Sequence, residues 1–270
     1  EMDARPDPLA PLIEALHAEG RPRVWSLVIT VFGDSVQPRG GRIATTRLQR
    51  LLGRVGVEPG ALRTALSRLR RDGWVVAERE GRFSLYRLSE SGIARFAPAT
   101  ERIYAPPRRK AVTRWTLAFG GTGSAGLPVA PNLRLIPEAE APAADLAVTG
   151  SLSALAPGFA AELVPQPHRA ALAALAADLA ALEGRSFGPL DAAAARTLLI
   201  HRWRRLVLRW PELPAELLPP EAPAPPRAAV AQAWHRLSPA AEEWFDSADR
   251  RMPAMPAADP ALGRRFAQAT

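Results

Sequence analysis

The sequence predicts an α+β protein that is mostly helical, and three patterns predict it. Residues 59–73 carry apolar side chains at helical spacing and lead directly into two short runs, 74–79 and 82–88, around a Glu80-Gly81 turn. Trp115, Leu117 and Phe119 alternate as a strand does, and Leu133 with Leu135 and residues 146–148 repeat the pattern. Residues 168–182, 192–209 and 229–248 read as long helices that fill the C-terminal third. A chain of 270 residues is long enough for two or three small cores.

Composition narrows the function. The chain has no cysteine, so disulfides, thiolate metal sites and cysteine nucleophiles are excluded. No apolar run approaches the roughly twenty residues that span a bilayer, and the N-terminus lacks a signal-peptide pattern. A cytoplasmic protein without membrane contact is expected. Net charge is +8 and unevenly spread: from Arg21 to Arg114, 20 Lys and Arg face 7 Asp and Glu, while residues 1–20 are acidic and 115–270 nearly neutral. Basic charge confined to one segment is the electrostatic footprint of a nucleic-acid binder. His17, His168, His201 and His235 lie far apart without ligand spacing, so no metal site is expected. No Gly-x-Ser-x-Gly motif is present, and a catalytic reading rests on His201 alone.

Taken in order, residues 1–20 hold a short arm helix over 8–16. Residues 23–32 are apolar and β-branched, so propensity alone favours a strand. Asp34 and residues 38–41 form a turn, and residues 42–44 a short strand. Thr45 or Thr46 then caps a helix through Arg54, closed by Gly56. In the next helix Pro59 suits the first turn and Gly73 a left-handed end. Leu62, Ala65, Leu66 and Leu69 form its apolar face, and Arg63, Thr64, Ser67, Arg68 and Arg71 the other. Arginine forks fit guanine edges or phosphates, so this front suits a major groove, and an ordinary solvated basic face is the simpler alternative. The hairpin that follows, with Arg79 and Arg82 at its tip, completes the order of a winged helix-turn-helix. Phosphate contacts are expected from Thr45, Thr46, Arg79 and Arg82, and a DNA contact also from Arg42. Ser89 caps a helix from Glu90 to about Thr100.

At these residues the sequence resembles the phenylacetic-acid degradation repressors, the PaaX-like regulators. The resemblance is carried by Val31-Phe-Gly-Asp34, Pro38-Arg-Gly-Gly41, Leu62-Arg-Thr-Ala-Leu-Ser-Arg-Leu69, Asp72-Gly-Trp74, Tyr86-Arg-Leu88 and Arg102-Ile-Tyr104. It returns in Leu199-Ile-His-Arg-Trp-Arg-Arg205, Pro211-Glu-Leu-Pro214 and Leu217-Leu-Pro219. It implies that residues 23–32 form a helix ending at Gly33, and that the middle is a small ferredoxin-like α/β domain. The Arg-rich helix expected after the first middle strand is replaced by a glycine-rich connection over 120–126, so that domain is abbreviated. The domain boundaries are then 1–20 for the arm, 21–104 for the winged domain, 105–165 for linker and middle domain, and 166–270 for a helical effector and dimerisation domain.

The resemblance also implies a homodimeric repressor that binds a palindromic operator in double-stranded DNA and needs no cofactor. Its effector would be an aryl-CoA thioester such as phenylacetyl-CoA, which calls for arginine forks on phosphates and aromatic rings for the phenyl group. His201, Arg202, Trp203, Arg204, Arg205 and Trp210 are the candidate effector residues. The alternative is internal packing, with those arginines paired to Glu212, Glu216 or Glu221. Leu172, Leu175, Leu179 and Leu182 form a stripe that is either core or dimer seam, Asp191 caps the next helix, and Trp234, Leu237, Trp244 and Phe245 face inward. Residues 211–227 read as an extended wrapping segment, and the tail beyond Met252 as loosely held. Two other functions fit less of the pattern: an acyl-CoA-processing enzyme using His201, and an architectural DNA binder that senses nothing.

Overall fold

The apolar run at residues 23–32 becomes a helix because residues 26–32 are buried on every side. In the computed structural model, which describes residues 7–20, 22–121, 125–156, 158–223 and 225–267, α1 (Ala10–Ala18) is followed by α2 (Val24–Val31). Ser26 to Val31 are all buried, and tertiary packing outweighs the β propensity of the valines and Ile29. The helix does not end at Gly33. It continues as one wide turn, Phe32–Val36, and a 3-10 turn, Gln37–Arg39, so Asp34 is buried rather than part of a surface turn. Gly33 sits against the Phe96 ring, where an added Cβ would lie 1.8 Å from Phe96 Cζ.

β1 (Arg42–Ala44), α3 (Thr45–Arg54), α4 (Pro59–Arg71), β2 (Val75–Glu80) and β3 (Phe83–Leu88) follow, the strands forming an antiparallel sheet of order β1-β3-β2. The residue capping α3 is Ala44, without a side-chain bond. Neither threonine is the cap: Thr45 Oγ1 donates to the Ser84 carbonyl (3.0 Å) and Thr46 Oγ1 to that of Arg251 (2.8 Å). On α4 the apolar face is as the spacing predicts, with Leu62, Ala65, Leu66 and Leu69 buried. Each buried leucine contributes about 1.5–3 kcal/mol. The helix closes on Gly73 at φ +73°, with Trp74 N donating to the Leu69 carbonyl (2.8 Å). Ser89 caps α5 (Glu90–Ile103), its side chain accepting from Gly92 N.

The middle segment is a four-stranded antiparallel sheet. β4 (Trp115–Phe119), β5 (Leu127–Ala130), β6 (Leu133–Pro137) and β7 (Leu146–Gly150) lie in the order β5-β6-β4-β7. β5 is a strand that alternation does not reveal, because Pro128 interrupts it. Among the described residues no α-helix lies between β4 and β7. Residues 122–124 of the glycine-rich connection lie outside those described. Trp115, Leu127 and Leu135 pack with Val164, Leu213 and Leu217 in a small core. The outer end of the sheet stays open: Leu117 and Phe119 are 40% and 45% exposed, and their cross-strand partners Val148 and Leu146 are each 61% exposed.

α6 (Phe159–Leu163), α7 (Gln166–Leu182), α8 (Pro189–Arg209) and α9 (Pro226–Asp246) complete the fold. The α7 stripe is core, since Leu172, Leu175 and Leu182 are buried within the chain. Gly188, not Asp191, is the N-cap of α8, and Pro189 occupies its first turn. The Asp191 carboxylate instead accepts from Arg54 Nε (2.6 Å). Trp234, Leu237, Trp244 and Phe245 point inward as their spacing predicts. One continuous core joins α1–α5 to α7–α9 and to the tail. That tail is not loosely held, because Met252, Met255, Leu262 and Phe266 are buried in it. Asp259 N also donates to the Pro38 carbonyl (2.7 Å) and Phe266 N to that of Tyr104 (3.0 Å). No helix among the described residues is long and apolar enough to cross a membrane.

Asp34 ties these pieces together. Its Oδ1 accepts from Tyr104 Oη (2.7 Å), Trp234 Nε1 (2.9 Å) and Arg265 (3.1 Å), and its Oδ2 faces Arg196 Nε at 2.9 Å. Burial works to raise this carboxyl, but the two guanidiniums and the neutral donors outweigh burial and hold it below its usual value. A carboxyl with a lowered folded pKa stabilises the fold above the ordinary carboxylate range, and the contribution is lost as pH falls through its folded value. Asp34→Ala removes one of two carboxylates from the fully buried Arg196, leaving it Glu242, and takes the acid from Arg265, so urea unfolding at pH 7 is expected to show a loss of about 3–5 kcal/mol. A loss below about 1 kcal/mol would mean that the network contributes little.

Candidate functional site

Two sites emerge, an exposed basic surface and an arginine-lined cleft. The surface starts at α4. Arg63, Thr64, Ser67, Arg68 and Arg71 are all exposed on the side opposite the buried leucines. Arg68 and Arg71 lie 3.5 and 3.4 Å from Asp72, while Arg63 has no partner among the described residues. Thr64 Oγ1 is turned back to the Gly60 carbonyl (3.0 Å). Arg70 is also exposed and without a partner among the described residues. Sequence reasoning omitted it because it lies at the flank of the wheel.

The hairpin is less uniformly basic than its arginines suggest. Arg42 is held across the sheet by Glu80 (3.0 Å) and Glu78 (3.9 Å), and Glu78 also pairs with Arg87. The two-residue loop is Gly81 and Arg82, one residue later than expected. Arg79 Nε donates to the Gly81 carbonyl, and Arg82 lies over the Phe83 ring and donates to the Arg250 carbonyl (2.7 Å). Arg79 and Arg82 remain exposed at the tip, whereas Arg42, Thr45 and Thr46 are engaged in the fold.

The cleft, about 870 Å³, opens between the end of α1, the start of α2, and α7 and α8. Small side chains on α7, Ala170, Ala171 and Ala174, make one wall. The α8 residues His201, Arg202, Arg204, Arg205, Arg209 and Trp210 make the other, and Arg23 and Trp25 close the top. The expected residues therefore converge, except Trp203. That ring is buried away from the cleft, donating from Nε1 to the Ile103 carbonyl (2.9 Å) beneath Arg227. Arg23 and Trp25 were missed because they lie far from α8 in sequence. Arg209 was legible as the next member of the 202, 205, 209 row.

The arginines differ in how they are balanced. Arg202 pairs with Asp178 and Glu19, and Arg205 with Glu19. Glu212, Glu216 and Glu221, expected as their partners, are occupied by Arg227, the Val112 amide and Arg169. Arg204 faces no carboxylate among the described residues. Its Nη1 donates to the Ser26 carbonyl, Ser26 Oγ and Thr30 Oγ1 (3.0–3.2 Å), and its Nε is buried without a hydrogen bond. Arg23 and Arg209 also lack an acidic partner among the described residues, though Arg209 lies over the Trp210 ring at 4.9 Å. The other stacking partner of Trp210 is His168, nearly parallel to it with centroids 5.0 Å apart. A cleft with three uncompensated guanidiniums beside indole rings suits a ligand that joins phosphates to an aromatic group.

His201 does not fit a catalytic role. Burial, reinforced by Arg204, Arg205 and Arg202, lowers its pKa to about 3, and its Nδ1 lies 3.0 Å from Thr30 Oγ1. It is a poor proton acceptor at neutral pH and has no carboxylate among the described residues to orient it. Burial likewise lowers His168 to about 4.

Residues 23–92 match the family model described as PaaX-like protein, and residues 160–247 that of the PaaX-like protein C-terminal domain. Over 234 residues the sequence is 31% identical to the transcriptional repressor PaaX of Escherichia coli (strain K12), an alignment that covers 72% of this chain and 73% of that protein. The first match spans α2, α3, α4 and the hairpin. The second spans α7 and α8, which supply the cleft's two facing walls, and ends with α9.

Because His168 and His201 are held neutral while unfolded histidine titrates near 6.5, the unfolded chain takes up the extra protons. Stability is therefore present above about pH 6.5 and declines as pH falls toward the folded values, at up to about 1.4 kcal/mol per pH unit for each group. In histidine NMR spectra the two rings are expected to stay neutral from pH 8 to 5. A midpoint near 6.5 for His201 would contradict its placement.

Proposed function

The chain belongs to the PaaX-like family, and from that premise we propose that it is a DNA-binding transcriptional repressor of a phenylacetate-type catabolic operon, released by an aryl-CoA thioester such as phenylacetyl-CoA. It is not an enzyme. The observation that carries the DNA reading is α4, whose apolar face is wholly buried while Arg63, Ser67, Arg68, Arg70 and Arg71 face solvent. With β1 and the β2-β3 hairpin beside it, this arrangement supports a winged helix-turn-helix with α4 as the reading helix. The three uncompensated arginines of the cleft and the Trp210 ring support an acyl-CoA effector, its phosphates against the guanidiniums and its aryl group against the indole. The cleft borders α2, so ligand contacts there favour one seat of α2 against α8.

A palindromic operator calls for a twofold dimer with reading helices about one turn of DNA apart or a multiple of that. The open end of the middle sheet supports a second copy as its occupant. β7 is an edge strand with no charge from Leu146 to Gly150, and antiparallel pairing of two β7 strands is self-complementary. Paired edge to edge, the two copies would set Leu146 and Val148 of one β7 beside the same residues of the other, extending the apolar face that Leu117 and Phe119 share.

Two measurements test this reading. A labelled fragment from the protein's own upstream region should bind more tightly than random duplex at fixed salt, and binding no tighter than random would remove the repressor function. Arg68→Ala is expected to cost about 1–3 kcal/mol on the specific site and to relax its preference, whereas equal losses on both duplexes would make Arg68 a phosphate contact only. For the assembly, Leu146→Lys with Val148→Lys should sediment as a monomer where the parent is a dimer. An unchanged dimer would place the interface elsewhere.

A further inference from the structure

The basic surface is built from the first third of the chain, yet Thr46 and Arg82 both reach a segment near the C-terminus. Past α9 the chain makes a tight turn over 249–252. Asp249 N donates to the Met252 carbonyl (2.8 Å), Met252 N to that of Asp249 (3.2 Å), and Asp249 Oδ1 accepts from Arg251 N (2.8 Å). Arg250 and Arg251 occupy the two tip positions.

Three anchors hold this turn between the start of α3 and the hairpin loop. The Met252 side chain is buried in the main core. Arg50 pairs with Asp249 at 2.7 Å, which occupies the acid nearest the tip. The carbonyls of Arg250 and Arg251 accept from Arg82 Nη2 (2.7 Å) and Thr46 Oγ1 (2.8 Å). None of these contacts uses the guanidinium of Arg250 or Arg251. Both side chains are exposed, and neither has a partner among the described residues. The fold thus fixes the backbone of a two-arginine tip and leaves both charges free beside Arg82.

We propose that the 249–252 turn is part of the DNA-contacting surface, with Arg250 and Arg251 each meeting a backbone phosphate next to the hairpin. This rests on the reading of the chain as a DNA-binding protein. Phosphate is the chemistry that fits, because a flexible arginine on an exposed turn meets a point charge readily, while base reading requires insertion into a groove. The two residues would add affinity without sequence preference. They also make the DNA surface a joint product of the chain's two ends, because the turn is continuous with α9.

The test is the salt dependence of DNA binding by the full chain, on specific and random duplexes. Each phosphate contact contributes about 0.9 to the log–log slope, so Arg250→Ala with Arg251→Ala should reduce its magnitude by about 1.8 and weaken binding to both duplexes by at least about tenfold at 0.1 M salt. Arg250→Lys with Arg251→Lys should keep most of the slope. Arg264→Ala, which removes an exposed tail arginine outside the turn, should leave it unchanged. The proposal is overturned if the double alanine variant matches the parent in slope and affinity, or if it loses affinity for the specific duplex alone. A parent chain that binds no DNA would instead overturn the reading beneath it. An unchanged unfolding midpoint in the alanine variant separates lost contacts from a lost fold.

Discussion

A carboxylate with no access to water, that of Asp34, holds the protein's two ends together. It sits in the wide turn after α2 and meets Tyr104 at the end of α5, Arg196 on α8, Trp234 on α9 and Arg265 in the tail. Arg196 extends the network to Glu242, and Glu242 to Arg39 at the end of the 3-10 turn that follows. A buried ion cannot be left half-paired without a cost of several kcal/mol, so each of these segments is fixed relative to the others. The N-terminal unit is therefore not an independent module on a flexible tether. Its core and the core of α7–α9 are one.

That constraint shapes how a ligand signal can act. α2 has Asp34 just beyond its C-terminal end, with Ser26 in its first turn against Arg204 and Thr30 in its last turn against Arg204 and His201 at the cleft. α4 packs on α2 as well. In the proposed repressor, a change in how the cleft grips Ser26 would move the helix on which α4 packs, whereas a free hinge between domains would dissipate it. The proposed signal would then take the form of a choice between two seats of α2.

Much of this was legible in the sequence, and the exceptions have physical causes. The α4 face could be read because one stripe of leucines is buried and the other residues meet water, so pattern and environment agree. The helical nature of α2 could not be read from propensity, because its valines favour strands and only burial on every side makes a helix of them. Thr45 and Thr46 have the chemistry of caps, but nearby carbonyls from β3 and the tail claim their hydroxyls. The arginine cluster on α8 pointed to the cleft, but its opposite rim, Arg23 and Trp25, lies nearly two hundred residues away with no pattern to link them. The tail was misread for a related reason: its buried residues, Met252, Met255, Leu262 and Phe266, are too sparse for periodicity and are defined by what they meet.

In the proposed repressor, cleft and DNA surface compete for one arrangement of the same core. The most direct measurement is the affinity of phenylacetyl-CoA for the free protein and for the protein saturated with its operator, at one salt concentration. Linkage requires the thioester to bind the free protein more tightly, by the same factor by which it weakens operator binding, typically about 5–150-fold. Equal affinity for the two forms would contradict the coupling, even if cleft and DNA surface each bind their ligands.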